Sequence, residues 1–454
     1  MDTTFAPFEF EDSQGNRVGI DVELLEAIAK DQGFEYEARA IGFDAALQAV
    51  ESGQADGILA GCSITEERQK KMDFSTPYFD SGISMAVSKD NDSIQSYEDL
   101  RGKKVAVKVG TEGATLANKL SEQYGFSVVT FDDSANMYED VKLGNTVACF
   151  EDYPVLGYAI SQDIGLKLVG EKEAGSSYGL GVKKGQNAEL LQMFNDGLEN
   201  VKASGEYQRI LDSYISSGDG TAANVESNEG VNFFTLLGTT FPRFIQAAGV
   251  TLWITAVSLV FAVVLGLLFC ALRLSKYKVL HAITRVYLWV IRGTPVIVQA
   301  FMIYFGIPKL LGFTMPVEVA SIITLTLNAG AYLSEIFRSG IEAVDVGQME
   351  AARSLGLPYM KTMQKVILPQ AARIVIPSVI NQFIITLKDS SILSVIGLAE
   401  LTKVGKAIVA QNLESFNTYL ILAIYYLILV SLLTALSAVV ERRLRRGKLK
   451  GKGN

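Results

Sequence analysis

The 454-residue sequence predicts two folds in series: an α/β, two-lobed domain over residues 1–217 and an all-α, five-span membrane domain over residues 232–446. Three observations predict this. Residues 1–231 carry 19 Lys/Arg against 40 Asp/Glu, a net of −21, whereas residues 232–454 carry 22 against 9, a net of +13. An acidic half and a basic, apolar half read as one soluble and one membrane module. The first half alternates short β runs with amphipathic helices, and the second repeats apolar windows of spanning length.

Gly19-Ile20-Asp21-Val22 leads into a helix over Glu23–Asp31 with Leu24, Leu25 and Ile28 on one face. Val105–Lys108 reads as a strand that turns at Gly110-Thr111 into a helix from Glu112 to Tyr124. Extended runs near Ser84–Ser88 and Gly179–Lys183 repeat the pattern, which argues for a mostly parallel sheet in two lobes crossed twice by the chain. The first lobe is expected over residues 1–86 and 182–217, the second over 87–181. Residues 218–231 are small and polar, a flexible linker.

Apolar windows then run over Ala247–Leu272, Ala282–Phe305, Val317–Phe337, Ile374–Leu387 and Thr418–Val440, the fourth being short. Residues 232–246 read equally as an interfacial helix or a linker end. Arg273, Lys276 and Lys278 follow the first span. Arg338, Arg353, Lys361, Lys365 and Arg373 lie between the third and fourth, and a basic tail at 447–454 closes the chain. The positive-inside rule puts these loops in the cytoplasm and the acidic domain outside, in a multi-pass plasma-membrane protein held in the lipid bilayer.

Gly293 and Pro295 of Arg292-Gly293-Thr294-Pro295 can break the second span and expose backbone to a cavity. Lys388 and Asp389 at the end of the fourth span, and Glu335 in the third, are either ion-paired at a helix end or part of a translocation path.

The remaining chemistry is sparse. Cys62, Cys149 and Cys270 lack metal-ligand spacing and read as small buried residues. The single histidine, His281, reads as a loop residue. No metal motif, nucleophile elbow or other catalytic arrangement is present, and without aromatic–basic interleaving no nucleic-acid partner is implied. Met1 is followed directly by Asp2–Phe10 without a signal peptide. The expectation is a longer chain that was cleaved or truncated, with an initiator Met added and a signal peptide or second binding domain ahead of position 2.

The segment Glu350–Pro369 lies in a basic stretch and opens on an Ala-rich, polar turn of helix, a poor candidate for lipid contact and a good one for docking a cytoplasmic partner. Glu350-Ala351-Ala352, then Gly356, then Leu368-Pro369, within a loop over 338–369, resembles the EAA loop of type I, HisM/GlnP-like permeases of polar amino-acid ABC importers. The resemblance implies that this loop couples to an ATPase subunit. The chain itself has no G-x-x-x-x-G-K-[ST] and binds no cofactor. ATP-Mg belongs to the partner, and a homodimer on two ATPase subunits is implied.

Asp2–Phe10, Leu59-Ala60-Gly61, Ile64–Arg68, Asp73–Tyr78, Val107–Thr111 and Glu151–Pro154 resemble the polar amino-acid substrate-binding proteins, close to glutamine-binding members. The implied fold is a type II, periplasmic-binding-protein-like clamp that closes on one amino acid. Arg68 offers a planar fork for the α-carboxylate and Asp152 a negative charge for the α-ammonium. Ser63 and the Gly61 carbonyl complete the hydrogen bonds, beside Thr111, and Phe5 and Phe43 cover the aliphatic stem. The bland alternatives are a surface cation beside Glu66 and Glu67 for Arg68, and a helix cap for Asp152. Asp2 and Lys108 map onto contacts with a side-chain carboxamide, whose donor and acceptor ends a carboxylate and an ammonium on opposite sides would satisfy.

Glutamine is therefore the first expectation and asparagine the second. Glu112, in place of a small residue, and Glu151, in place of a histidine, depart from the family pattern. Both add negative charge that would suit arginine, lysine or histidine, though Glu112 also reads as an acid at a helix N-terminus. The chain thus reads as binding protein and permease of an ATP-driven importer. A tethered binding domain suits a cell without an outer membrane, hence a Gram-positive source. A ligand-gated channel is disfavoured because both lobes precede the first span, and a transmembrane sensor because no output domain follows the last.

Overall fold

Short β runs in the acidic half pair across long sequence distances. The computed structural model describes residues 1–2, 5–12, 16–215, 232–412 and 415–450; the linker at 218–231 and residues 451–454 lie outside the described residues. Two compact units result, the first mostly Met1–Arg243 and the second mostly Phe244 onward.

In the first unit, strands β1 (Phe10–Glu11) and β2 (Arg17–Val18) form a small hairpin. Strands β3 (Gly57–Ile58), β4 (Met72–Phe74) and β10 (Gly181–Lys183) form a three-stranded sheet in the order β3-β10-β4. Strands β5 (Phe79–Ser88), β6 (Lys104–Lys108), β7 (Ser127–Phe131), β8 (Ala148–Asp152) and β9 (Leu166–Tyr178) form a second sheet in the order β7-β6-β8-β5-β9. The chain passes from the first sheet to the second between Phe74 and Phe79 and returns between Tyr178 and Gly181.

The sheets are not mostly parallel as expected. Among the described residues only β6 pairs in parallel, with β7 and β8, while β5 runs antiparallel to β8 and β9, and β10 antiparallel to β3 and β4. The antiparallel partners are distant in sequence, so their direction follows from the chain's route between the two sheets and not from a local connection. Helix Ile20–Gln32 buries Ile20, Leu24 and Ile28 against Phe194, Leu198 and Val201 of helix Ala188–Ala203, and helix Glu112–Tyr124 matches its expected bounds.

Among the described residues of the basic half, four helices are long and apolar enough to cross a membrane, or five if a bent pair is one span. The first span is one 41-residue helix, Phe233–Arg273, so residues 233–246 are neither a separate interfacial helix nor a linker end. The second stretch breaks where Gly293 and Pro295 predict: helix Lys278–Gly293 meets Val296–Leu311 at 108°. Pro295 lacks an N–H and disfavours helix in the residue before it. Gln299 Nε2 satisfies the freed carbonyls, donating to Ile291 at 2.7 Å and Thr294 at 3.1 Å. His281 is helical, within Lys278–Gly293, and not in a loop.

The third span is Val317–Glu342. The fourth is longer than its apolar window: the helical run covers Tyr359–Ile396, with a π turn at Met363–Ile367 and a 3-10 end at Ser390–Ile396. Helix Leu401–Asn412 was not expected, and Ser415–Lys450 is the last helix. All three cysteines are buried and free, as read from the sequence.

Candidate functional site

The site grows from the C-terminal ends of two adjacent parallel strands. Val107 of β6 registers with Phe150 of β8, so Lys108 follows beside Glu151 and Asp152. Such ends converge on the crevice where ligands of open α/β sheets bind. After Lys108 the chain turns at Gly110-Thr111. The Thr111 hydroxyl accepts from the Ala114 N–H at 3.2 Å, capping the next helix, and donates to the Lys108 carbonyl at 2.8 Å.

Lys108 is 1 % exposed, yet Nζ donates to the equally buried Asp2 carboxylate. Burial disfavours its ammonium, but Asp2 and then Glu151 overcome that, leaving the Lys108 pKa above the usual lysine range. Asp2 and Lys108 were expected on opposite sides of a carboxamide; here they meet each other directly, and Lys108 Nζ also lies 5.3 Å from the Phe5 ring centre. A side chain reaching both groups would lie on Phe5 and part them.

Glu151 does not face the ligand space as a free charge. Its carboxylate accepts from Ser134 Oγ at 2.7 Å and from the Asp152 N–H at 3.2 Å. Glu112 is likewise engaged, by Ser176 Oγ at 2.8 Å and Ser176 N–H at 3.2 Å, and not merely a dipole-favoured terminus. Asp152 holds the N-cap position of helix Tyr153–Ser161 but its side chain makes no capping bond, which removes the helix-cap alternative. Burial, then the neighbouring Glu151 charge, push its pKa up to about 8.

Arg68 follows the Thr65 N-cap of a short helix, Glu66–Gln69. It makes no ion pair with Glu66 or Glu67 among the described residues. Its Nη1 donates to the Ser63 carbonyl at 2.8 Å, its Nη2 to the Gly110 carbonyl at 2.9 Å, and its guanidinium covers Phe43 at 5.0 Å. The fork therefore joins the segment after β3 to the turn after β6. Beside it lies a cavity of about 450 Å³ lined by Arg68, Thr111, Glu112, Thr65, Asp44 and Asn118.

Gly61 has φ +50°, and a Cβ there would stand 2.1 Å from Phe5 Cε1, so glycine alone lets the Phe5 ring lie on this backbone. The structure thus gathers Asp2, Phe5, Gly61, Lys108, Glu151 and Asp152 in one buried cluster, with Arg68, Phe43, Thr111 and Glu112 grouped at its flank. Ser63 is buried and bridges to Tyr178, whose ring lies 6.3 Å from Phe5.

Sequence reading missed Tyr178, Ser134 and Ser176, which hold the acids and carry no motif of their own. It also missed Glu9 and Asp21. Asp21 had a signal: spacing 21, 24, 25, 28 puts it on the buried stripe of its helix.

In the second unit Glu350 and Ala351 are exposed and Ala352 buried on helix Val346–Ser354, which Asp345 caps through the Gly347 N–H at 2.7 Å. Gly356, at φ +82°, turns the chain out of that helix, and Leu368-Pro369 begin the long helical part of the fourth span, Leu368–Asp389. Glu335 accepts from Arg273 and, at 3.0 Å, from Arg338, realising the ion-pair alternative. Lys388 and Asp389 do not: neither has an ion pair among the described residues, and the helix continues past them as a 3-10 turn, because neighbouring helical residues point about 100° apart.

Residues 1–217 match the family of bacterial extracellular solute-binding proteins, family 3, and residues 258–446 match the binding-protein-dependent transport system inner membrane component. The arginine transport system permease protein ArtQ of Bacillus subtilis (strain 168) is 37 % identical over 204 residues, 45 % of this chain and 93 % of that one. The glutamine transport system permease protein GlnP of Escherichia coli (strain K12) is 37 % identical over 205 residues, 45 % of this chain and 94 % of its own. Among solved structures, an ancestral arginine-binding protein bound to glutamine is 41 % identical over 47 % of this chain and 94 % of its own, with a TM-score of 0.44.

Proposed function

We propose a substrate and a working cycle for a chain that belongs to the binding-protein-dependent inner-membrane transport family and joins to it, in one polypeptide, a solute-binding domain of family 3. It is the binding and permease part of an amino-acid ABC transporter, an integral membrane protein whose family works with a separate ATPase. Its substrate is a neutral polar amino acid, glutamine first and asparagine second.

One observation carries this choice. Lys108 keeps a buried positive charge at the heart of the site, clasped by Asp2 and backed by Glu151. A carboxamide entering between Asp2 and Lys108 donates to the first and accepts from the second, so both charges stay hydrogen-bonded. A cationic side chain could still donate to Asp2, but it would meet Lys108 at close range in a dry site, a like-charge repulsion that the carboxamide avoids. Arg68 takes the α-carboxylate by exchanging a backbone carbonyl for it, and Asp152 takes the α-ammonium. Gly61, Ser63 and Thr111 complete the polar ring, under Phe5 and Phe43.

The cycle assigns the clamp, with lobes 1–86 plus 182–217 and 87–181, to the outer face and the loop 338–369 to the cytoplasm. Two chains work on two ATPase subunits, whose ATP-driven closure reaches the membrane helices through Glu350, Ala351, Ala352 and the Gly356 turn. Lys388 and Asp389, without an ion pair among the described residues and beside the buried Ser390, suit the transport path better than the ion-paired Glu335. A Gram-positive envelope fits the tethered clamp.

The second reading, import of basic amino acids, is favoured by the acids Glu112 and Glu151. Calorimetric titration of the purified chain with each amino acid separates the two. Tight glutamine binding with arginine silent supports the first reading, and tight arginine binding overturns it in favour of the second.

A further inference from the structure

Beneath the proposed ligand contacts lie two carboxyl groups closed off from solvent. Glu9 and Asp21 are each 0 % exposed. Glu9 Oε1 accepts the Asp2 N–H at 3.0 Å, and Asp21 Oδ2 accepts the Gly61 N–H at 2.8 Å. Their second oxygens, Glu9 Oε2 and Asp21 Oδ1, are buried without a partner at hydrogen-bond distance among the described residues; the two side chains face each other, with the Tyr78 hydroxyl beside Asp21 and no donor group beside Glu9 Oε2.

Two ionised carboxylates cannot satisfy one another, because both only accept; one proton between them turns two unpaired oxygens into a hydrogen bond. We infer that Glu9 and Asp21 hold a single proton between them and act as positioning residues, one fixing the Asp2 amide and the other the Gly61 turn of the amino-acid site. The inference rests on the reading of Asp2 and Gly61 as ligand contacts.

Burial raises both groups above the usual carboxylate range, and the charge of Asp21 raises Glu9 further. The other groups facing the pair are Asp2, the Met1 α-ammonium, the Tyr78 hydroxyl, the Cys62 thiol and the Tyr207 hydroxyl. Of these the α-ammonium alone is a cation, and its attraction is outweighed by desolvation. The pair thus splits the functions of a buried acid. The outer oxygens hold backbone amides of two separate segments, 59 positions apart in sequence, and the inner ones lock those segments to each other.

The test uses the full chain in lipid nanodiscs. Infrared difference spectra, Glu9→Gln minus wild type at neutral pH, should show loss of one protonated-carboxyl band; bands from Glu151 and Asp152 cancel. An unchanged band overturns the shared proton. L-Glutamine and L-arginine titrations then test positioning. Glu9→Gln, whose amide can donate to Asp21 and still accept from Asp2, should retain affinity within about threefold, whereas Glu9→Leu should lose about tenfold or more. Wild-type affinity in Glu9→Leu overturns the positioning role. A wild-type chain that binds neither amino acid sinks the substrate reading instead, while the infrared result still decides the proton.

Discussion

Replacing Lys108 by Met removes a buried cation of the candidate site and should shift the proposed glutamine preference towards arginine. A ligand side chain lying on Phe5 ends near the ring centre, 5.3 Å from Lys108 Nζ. At that separation and an effective dielectric of about 20, like charges repel by about 3 kcal/mol, about two hundredfold in affinity. Arginine binding by Lys108→Met should therefore rise by about that factor, and further if Asp2 turns to pair with the guanidinium. Glutamine should weaken by about tenfold through loss of one charged donor.

The substitution also strands Asp2 in the interior, a cost of about 3–5 kcal/mol in stability. The double variant Asp2→Asn with Lys108→Met removes both charges and should recover most of it. Calorimetric titration of all four members of the cycle, with chemical denaturation of each, separates specificity from stability. Arginine affinity that fails to rise in Lys108→Met, in protein shown to be folded, refutes the electrostatic argument for glutamine.

Three further outcomes follow from the same geometry. Asp152, at about 8, is largely protonated at neutral pH before ligand arrives, so pairing with an α-ammonium releases a proton. Affinity should fall as pH drops below about 8, by at most about tenfold per pH unit, and calorimetry in buffers of different ionisation enthalpy should detect the release; Asp152→Asn should abolish it. Gly61→Ala forces a left-handed backbone on a residue with a Cβ and drives that Cβ into the Phe5 ring. It should cost about 1–2 kcal/mol from the backbone alone, and more from Phe5, read as weakened ligand binding. In the membrane unit a Cβ at Gly340 would lie 2.0 Å from Val375 Cγ1, so Gly340→Val should part the third and fourth spans and lower the midpoint of thermal aggregation in detergent.

Much of the candidate site was legible because its residues sit where secondary structure changes. Lys108 and Asp152 end strands, Thr111 caps a helix and Gly61 needs a positive φ, and each leaves a local trace in residue type. The break at Gly293 to Pro295 was legible for the same reason, since the backbone chemistry of proline is the same in any context. Strand direction was not legible: β5 reads as any apolar run, and its antiparallel place between β8 and β9 follows from where the chain re-enters the sheet. Nor was the full length of the fourth span, whose first turns carry Lys361, Lys365 and Arg373 and so escape an apolar window.

By itself the sequence determined the division into an acidic α/β half and a basic spanning half, the alternation of strand and helix in the first and the chemical types available at the candidate site, all properties of neighbouring residues or of summed charge. Only the tertiary structure decided which charges pair with one another and which are held by neutral donors. Glu112 and Glu151 became bound groups through Ser176 and Ser134, Lys108 met Asp2 across 106 positions of sequence, and Glu9 met Asp21 in the interior. A carboxylate's role is set by what desolvates it and what donates to it, and folding brings both from distant parts of the chain.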